Sequence, residues 1–284
     1  MQIIRDKTFS AERALYNTKS ALVENCRFKG EEDGESFLKE SADITVKGCF
    51  MDLRYPMWHV DNLVMTDCEM TKNCRAALWY DKGVYIENSL MNGIKALREC
   101  SDITLKNVIA DSPEYAWRCN GISVTGGKIN SEYAFFESKN ITVDGLEFSG
   151  KYSFQYVENL TINKSNLKTK DAFWHAHNVT VKDTVLEGEY LAWYSDGLTL
   201  INCHIKGTQP FCYCKNLRLI GCTMEDCDLS FEYSDVEADI RGEVLSVKNP
   251  ASGKIIADGY GEIILENSKY PANAEILTRK KITA

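Results

Sequence analysis

DITVKGC (43–49), NLVMTDC (62–68), DITLKNV (102–108), NITVDGL (140–146), NVTVKDT (178–184) and NLRLIGC (216–222) are versions of one seven-residue phrase. GVYIENS (83–89), GISVTGG (121–127), NLTINKS (159–165), GLTLINC (197–203) and DVEADIR (235–241) fill the gaps between them. Nine of the ten intervals between openings are nineteen residues, and the second is twenty-one. Self-similarity of this kind marks a stacked solenoid, in which each unit buries its apolar face only against its neighbours.

Each phrase opens on Asp, Asn or Gly, the residues that tolerate a left-handed backbone at a tight turn. Two apolar residues follow at strand spacing, as in Ile44/Val46, Leu63/Met65 and Val179/Val181. A second turn leads to an apolar anchor, including Met51, Met70, Met91, Ile129, Phe148, Leu167, Leu186, Ile205 and Met224. The third segment is aromatic: PMWH, ALWY, YAWR, AFFE, SFQY, AFWH, LAWY, PFCY and LSFE.

Three strands and three turns use up nineteen residues and leave no room for a helix. The preference for right-handed parallel crossovers then selects the hand. The expected fold is all-β: a single-domain right-handed parallel β-helix of about 11 coils, with three short strands per coil and a cap at each end. On this reading one domain covers residues 1–284. Residues 1–19 form an N-terminal cap, 20–235 the regular coils, and 236–284 irregular C-terminal coils and a cap.

Composition narrows the partners. The net charge of −8 and the lack of a Lys/Arg stripe exclude a nucleic-acid partner. The longest apolar runs are a few residues, so no membrane span is expected. The opening MQIIRDKTFSAERALY carries charges throughout and has no apolar core of signal-peptide type. The expected location is therefore cytoplasmic, with the eleven cysteines as reduced thiols. Cys212-Tyr-Cys214 lacks zinc-ligand spacing and a neighbouring His pair, so neither a metal nor another cofactor is expected.

The period also absorbs several motifs. The glycosylation-like triplets at Asn140, Asn159 and Asn178 are turn-column asparagines followed by strand threonines. Cys26, Cys49, Cys68, Cys203 and Cys222 share one column, where a small soft side chain suits the interior. Glu99, Arg118 and Glu137 form a charge ladder, as do Glu132, Lys151, Lys170 and Glu189.

One column resists this treatment. All five tryptophans, Trp58, Trp79, Trp117, Trp174 and Trp193, precede a phrase by four residues, and Arg98, Phe136, Gln155, Cys212 and Phe231 occupy the same column. Strand alternation puts the preceding apolar column inside and the indoles outside, over a floor of Ala77, Ala96, Ala134 and Ala172. Such a groove is expected to bind a saccharide or a small planar ligand. Its lining would be Trp58, Trp79, Arg98, Glu99, Trp117, Arg118, Glu137, Gln155, Trp174, Trp193 and Tyr194. Asp171, His175 and Glu189 lie on adjacent coils and are the candidates for acid–base catalysis of glycoside hydrolysis. The alternative is a non-catalytic scaffold that uses the aromatic stripe for a partner or for homo-oligomerisation.

Segments outside the generic repeat carry a further likeness: RALY (13–16), DGESFLKE (33–40), LRYPMWH (53–59), NCRAALWY (73–80), GIKALREC (93–100), GKYSFQY (150–156), KDAFWH (170–175), GEYLAWY (188–194) and GTQPFCYC (207–214). Through them almost the whole chain resembles the domain of unknown function 3737 family, within the pectate-lyase-like right-handed β-helix superfamily. The resemblance implies the fold and no activity. The pectate lyases use a calcium site of clustered acidic residues, and no comparable Asp cluster is seen in this sequence.

Overall fold

The computed structural model describes residues 1–30 and 35–279. Positions 33–34 of DGESFLKE and 280–284 of the expected C-terminal cap lie outside them. The described chain is a parallel β-solenoid with no helix among the described residues. Its contacts group into two units, Met1–Glu147 and Phe148–Ala284.

In the first unit, strands Ala42–Lys47, Asp61–Thr66, Lys82–Glu87, Ser101–Lys106, Asn120–Thr125 and Lys139–Asp144 lie parallel and in register. Ile44, Leu63, Val84, Ile103, Ile122 and Ile141 stack through the unit as one buried column. A second sheet stacks Phe9, Phe28, Met51, Met70, Met91, Ala110 and Ile129. The third is five-stranded and holds Met57–Trp58, Leu78–Trp79, Ala96–Arg98, Glu114–Trp117 and Tyr133–Ala134.

The second unit repeats the first two sheets. Glu158–Asn163, His177–Lys182, Asp196–Ile201 and Leu217–Glu225 pair in parallel, as do Asn166–Lys170, Val185–Glu187 and His204–Lys206. Its third segment departs from expectation, because it is a turn and not a strand. Asp171, Phe173 and His175 all have positive φ (53°, 61° and 53°), and Tyr190, Ala192 and Tyr194 follow the same alternation. Left-handed residues at every second position curl the chain more tightly than a regular pleated strand, and the same alternation already runs through Lys95, Leu97 and Glu99 in the first unit. None of these positions is β-branched, as that backbone requires.

The ends hold more coils than expected, about 14 turns in place of 11. Residues 1–19 are not a separate cap. Gln2–Arg5 pairs in parallel with the strand Lys19–Glu24, and Phe9 stacks on Phe28 at 5.1 Å. Left-handed Asp6 and Asn25 are nineteen residues apart, so the period already runs through this segment. Toward the C-terminus the spacing wanders while the pairing persists. Asp235 faces Ser252, seventeen positions on, and Lys254 faces Glu275, twenty-one on.

Inside the coils, small polar side chains serve the backbone at the turns. The Cys26 N–H donates to Cys49 Sγ (3.3 Å), the Cys49 N–H to Cys68 Sγ (3.4 Å), and the Cys68 N–H to Ser89 Oγ (3.1 Å). The acceptor then donates onward, as Cys49 Sγ does to the Val23 carbonyl (3.5 Å). A second interior column does the same with Cys119, Ser138, Cys214 and Ser234. Cysteine, serine and threonine are interchangeable here because each accepts one bond and donates another. An orphaned buried N–H would otherwise be costly.

Candidate functional site

The five tryptophans are half-buried, and their polar edges are committed to the fold. Trp58 Nε1 donates to the Ala76 carbonyl (2.8 Å), Trp117 to Tyr133 (2.9 Å), Trp174 to Tyr190 (2.6 Å) and Trp193 to Gln209 (2.9 Å). In each case the acceptor lies on the following coil, at the start of its third segment. Gln155 is buried, and its side-chain amide makes the same bond to the Asp171 carbonyl (2.8 Å). The column therefore staples one coil to the next. Only Trp79 lacks an acceptor among these indoles.

The indole faces are occupied as well. Trp174 and Trp193 stack at 5.4 Å with planes 5° apart, and Trp58 lies 4.8 Å from Trp79. Arg98 fills its place in the column between Trp79 and Trp117, with its guanidinium 5.5 and 4.7 Å from their rings and 3.3 Å from Glu114. The expected alanine floor is absent: Ala77, Ala96, Ala134 and Ala172 are buried with the interior column. Left-handed residues beside them (Ala76, Leu97, Phe135 and Phe173) turn that position inward in both units, so no Ala-floored groove opens between the indoles. Phe231 also leaves the column. It stacks on Phe211, twenty residues earlier, and Glu232 takes the outer place.

The exposed column is the next one. In the first unit it begins with His59 stacked on Tyr80 (4.9 Å) and becomes ionic at Glu99, Arg118 and Glu137, with Arg118 paired to Glu137 at 2.7 Å. That carboxylate holds the guanidinium pKa above its ordinary value. In the second unit the column is a run of rings. Tyr156 stacks on His175 (4.9 Å, 10°), His175 on Tyr194 (5.1 Å, 6°), and Tyr194 on Tyr213 (4.7 Å, 12°). Tyr233 continues it at 5.4 Å with a tilt of 51°.

Tyr156 and Tyr194 are 46% and 44% exposed. The polar tips of His175, Tyr194 and Tyr213 have no intramolecular hydrogen bond among the described residues. Burial, then the nearby Glu232 carboxylate, pushes the Tyr213 phenol pKa up. The sequence shows this column (Tyr156, His175, Tyr194, Tyr213) as regularly as it shows the tryptophans. Its stacking is the part that composition alone does not announce.

The structure does not assemble the expected acid–base group. Asp171 is buried, and desolvation raises its carboxyl pKa against the opposing pull of Lys170. Glu189 is spent on an ion pair with Lys170 at 2.9 Å. The His175 ring is held in the stack and bonds to neither carboxylate. No group of three or more His, Cys, Asp or Glu residues is placed to hold a metal ion among the described residues.

The model of a family described as protein of unknown function (DUF3737) matches residues 2–277. No curated protein matches the chain in sequence. Among solved structures it is similar to the A-module of the Azotobacter vinelandii mannuronan C-5 epimerase AlgE6, at 9% identity and a TM-score of 0.39 over 96% of this chain and 87% of that one. It is also similar to PfbA, a surface adhesin of Streptococcus pneumoniae (10%, 0.34, 84% and 62%). A family 28 exopolygalacturonase of Yersinia enterocolitica is a third (7%, 0.27, 99% and 73%).

Proposed function

We propose that this chain, which belongs to the DUF3737 family, is a saccharide-binding β-solenoid that holds an extended chain along the ring ladder Tyr156–His175–Tyr194–Tyr213. One observation carries the reading: a ring stands at this column on every coil, exposed at Tyr156 and Tyr194 and half-buried at His175 and Tyr213, and the polar tips of His175, Tyr194 and Tyr213 make no intramolecular hydrogen bond among the described residues. Parallel coils repeat at about 4.8 Å, so the ladder offers a ring edge at every step, tipped by a phenol at Tyr156, Tyr194 and Tyr213 and by an imidazole at His175. A linear polymer with hydroxyls on every unit can answer such a row with repeated, individually weak bonds. Stacked rings lose little entropy on binding, because their neighbours already fix them.

Binding without turnover is the form of the proposal. Asp171, His175 and Glu189 point to different tasks, and a hydrolase needs two carboxyl groups free to face one glycosidic bond. The tryptophans support the ladder from beneath. Self-association through the same rings is the alternative, and the test separates the two.

Soluble linear polysaccharides, neutral and acidic, are titrated calorimetrically into wild type and Tyr194→Ala. Binding by wild type with at least a tenfold loss in the variant, at unchanged unfolding midpoint, supports the proposal. A wild type that binds none of them, yet dimerises through protected tyrosines, replaces it with the scaffold.

A further inference from the structure

Asp81 occupies the second interior column of the first unit, where Val60 precedes it and Cys100, Cys119 and Ser138, which follow it, each carry a side chain that can both accept and donate a hydrogen bond. It is 1% exposed. Its Oδ1 accepts from the Val60 N–H at 2.8 Å, as Ser138 Oγ accepts from Cys119 at 2.9 Å. The donor half of the pattern is unfilled. Ser138 Oγ donates to the Ala116 carbonyl (2.7 Å), Cys119 Sγ to Leu97 (3.4 Å) and Cys100 Sγ to Leu78 (3.5 Å). Asp81 Oδ2, buried beside them, has no partner. A carboxylate cannot complete this column, because it only accepts.

We infer that Asp81 is a neutral carboxylic acid in the folded protein, whose Oδ2–H takes the donor role that thiols and hydroxyls play elsewhere in the column, making the first unit a structure that weakens as pH rises. The register identifies the acceptor. Leu78 pairs with Met57, so the carbonyl that stands to Asp81 as Leu78 stands to Cys100 is that of Met57.

The surroundings agree with a neutral acid. Burial raises its carboxyl pKa well above the usual range, with the Cys100 thiol and the Asp61 carboxylate adding to the rise. Those two are the titratable groups that bear on it. His59, Lys82 and Glu99 flank the column on the preceding, own and following coils, but they are exposed. No cation therefore compensates a buried charge here, and an unpaired one is expensive.

The sign follows from linkage. The folded pKa lies above the unfolded value of about 3.9. The stability that the acid contributes is whole below that value and is lost as pH rises toward the folded pKa. Asp81→Asn keeps one acceptor and one donor in the same shape and removes the titration.

Chemical unfolding of the full chain, wild type against Asp81→Asn, is followed from about pH 5 to about pH 9. The wild-type midpoint should fall progressively relative to the variant's as pH rises through this range, because the acid's contribution is already declining above about pH 4. Parallel profiles, or a variant weaker by the same amount at every pH, would overturn the inference. Should the variant fail to fold, wild type carrying isotope-labelled aspartate decides by infrared spectroscopy. A protonated-acid carbonyl band that survives at neutral pH supports the inference, and its absence overturns it.

Discussion

Trp193 shows how one side chain can look functional in a sequence and prove structural. Its indole N–H reaches the Gln209 carbonyl at 2.9 Å, its face lies on Trp174, and its edge meets Tyr190 and Tyr213. Every polar and most apolar surfaces of the ring are used between coils. Trp193→Phe keeps much of the stacking and removes the bond, leaving a carbonyl without its donor. A loss of about 1 kcal/mol in unfolding free energy is expected, with saccharide affinity changed far less than in Tyr194→Ala. Denaturant melts of both variants check this. Gln155 gives the reason for the split, since an amide with no aromatic face holds the same place by the same bond.

At the scale of the element, the corner before the aromatic turn decides where the ladder stands. Gly207 has φ +128°, and a Cβ there would lie 2.1 Å from the Gly188 carbonyl oxygen on the preceding coil. Neither the conformation nor the space admits a side chain. Gly207→Ala should destabilise by about 1–3 kcal/mol, the range for a strained backbone position, and should weaken binding by displacing Tyr213. Calorimetric melting and titration together test it, and an alanine variant with wild-type stability would show that the corner is softer than the geometry implies.

The same element marks the limit of what was legible. Strands and anchors follow from the nineteen-residue period, because burying every second side chain leaves an alternation that the sequence must carry. The aromatic turn does not, since positive φ at Phe173, Ala192 and Tyr194 is imposed by packing in the corner and has no propensity signature. Reading that segment with the regular alternation of a pleated strand put the indoles correctly on the outer side but wrongly placed the alanines beneath them, because left-handed residues break the alternation in both units. It also drew attention to the tryptophan column, one residue short of the exposed rings. The first coil was missed for a simpler reason: Asp6 carries the turn, but the segment lacks the full opening phrase.

At the scale of the whole molecule, two kinds of column do different work. The Cys, Ser and Thr side chains of the interior columns, with Asp81 among them, satisfy the backbone, and the inferred response to pH belongs to Asp81. Under the proposed function, the outer ring ladder of the second unit holds the ligand. This division predicts where a bound saccharide leaves its mark. Hydroxyl-radical footprinting of the full chain, with and without a polysaccharide that binds, reads every exposed ring at once by mass spectrometry. The account predicts protection concentrated at Tyr156, His175, Tyr194 and Tyr213, with the five tryptophans little changed. Protection centred on other faces, or protection of the ladder that grows with protein concentration and ignores the saccharide, would contradict it.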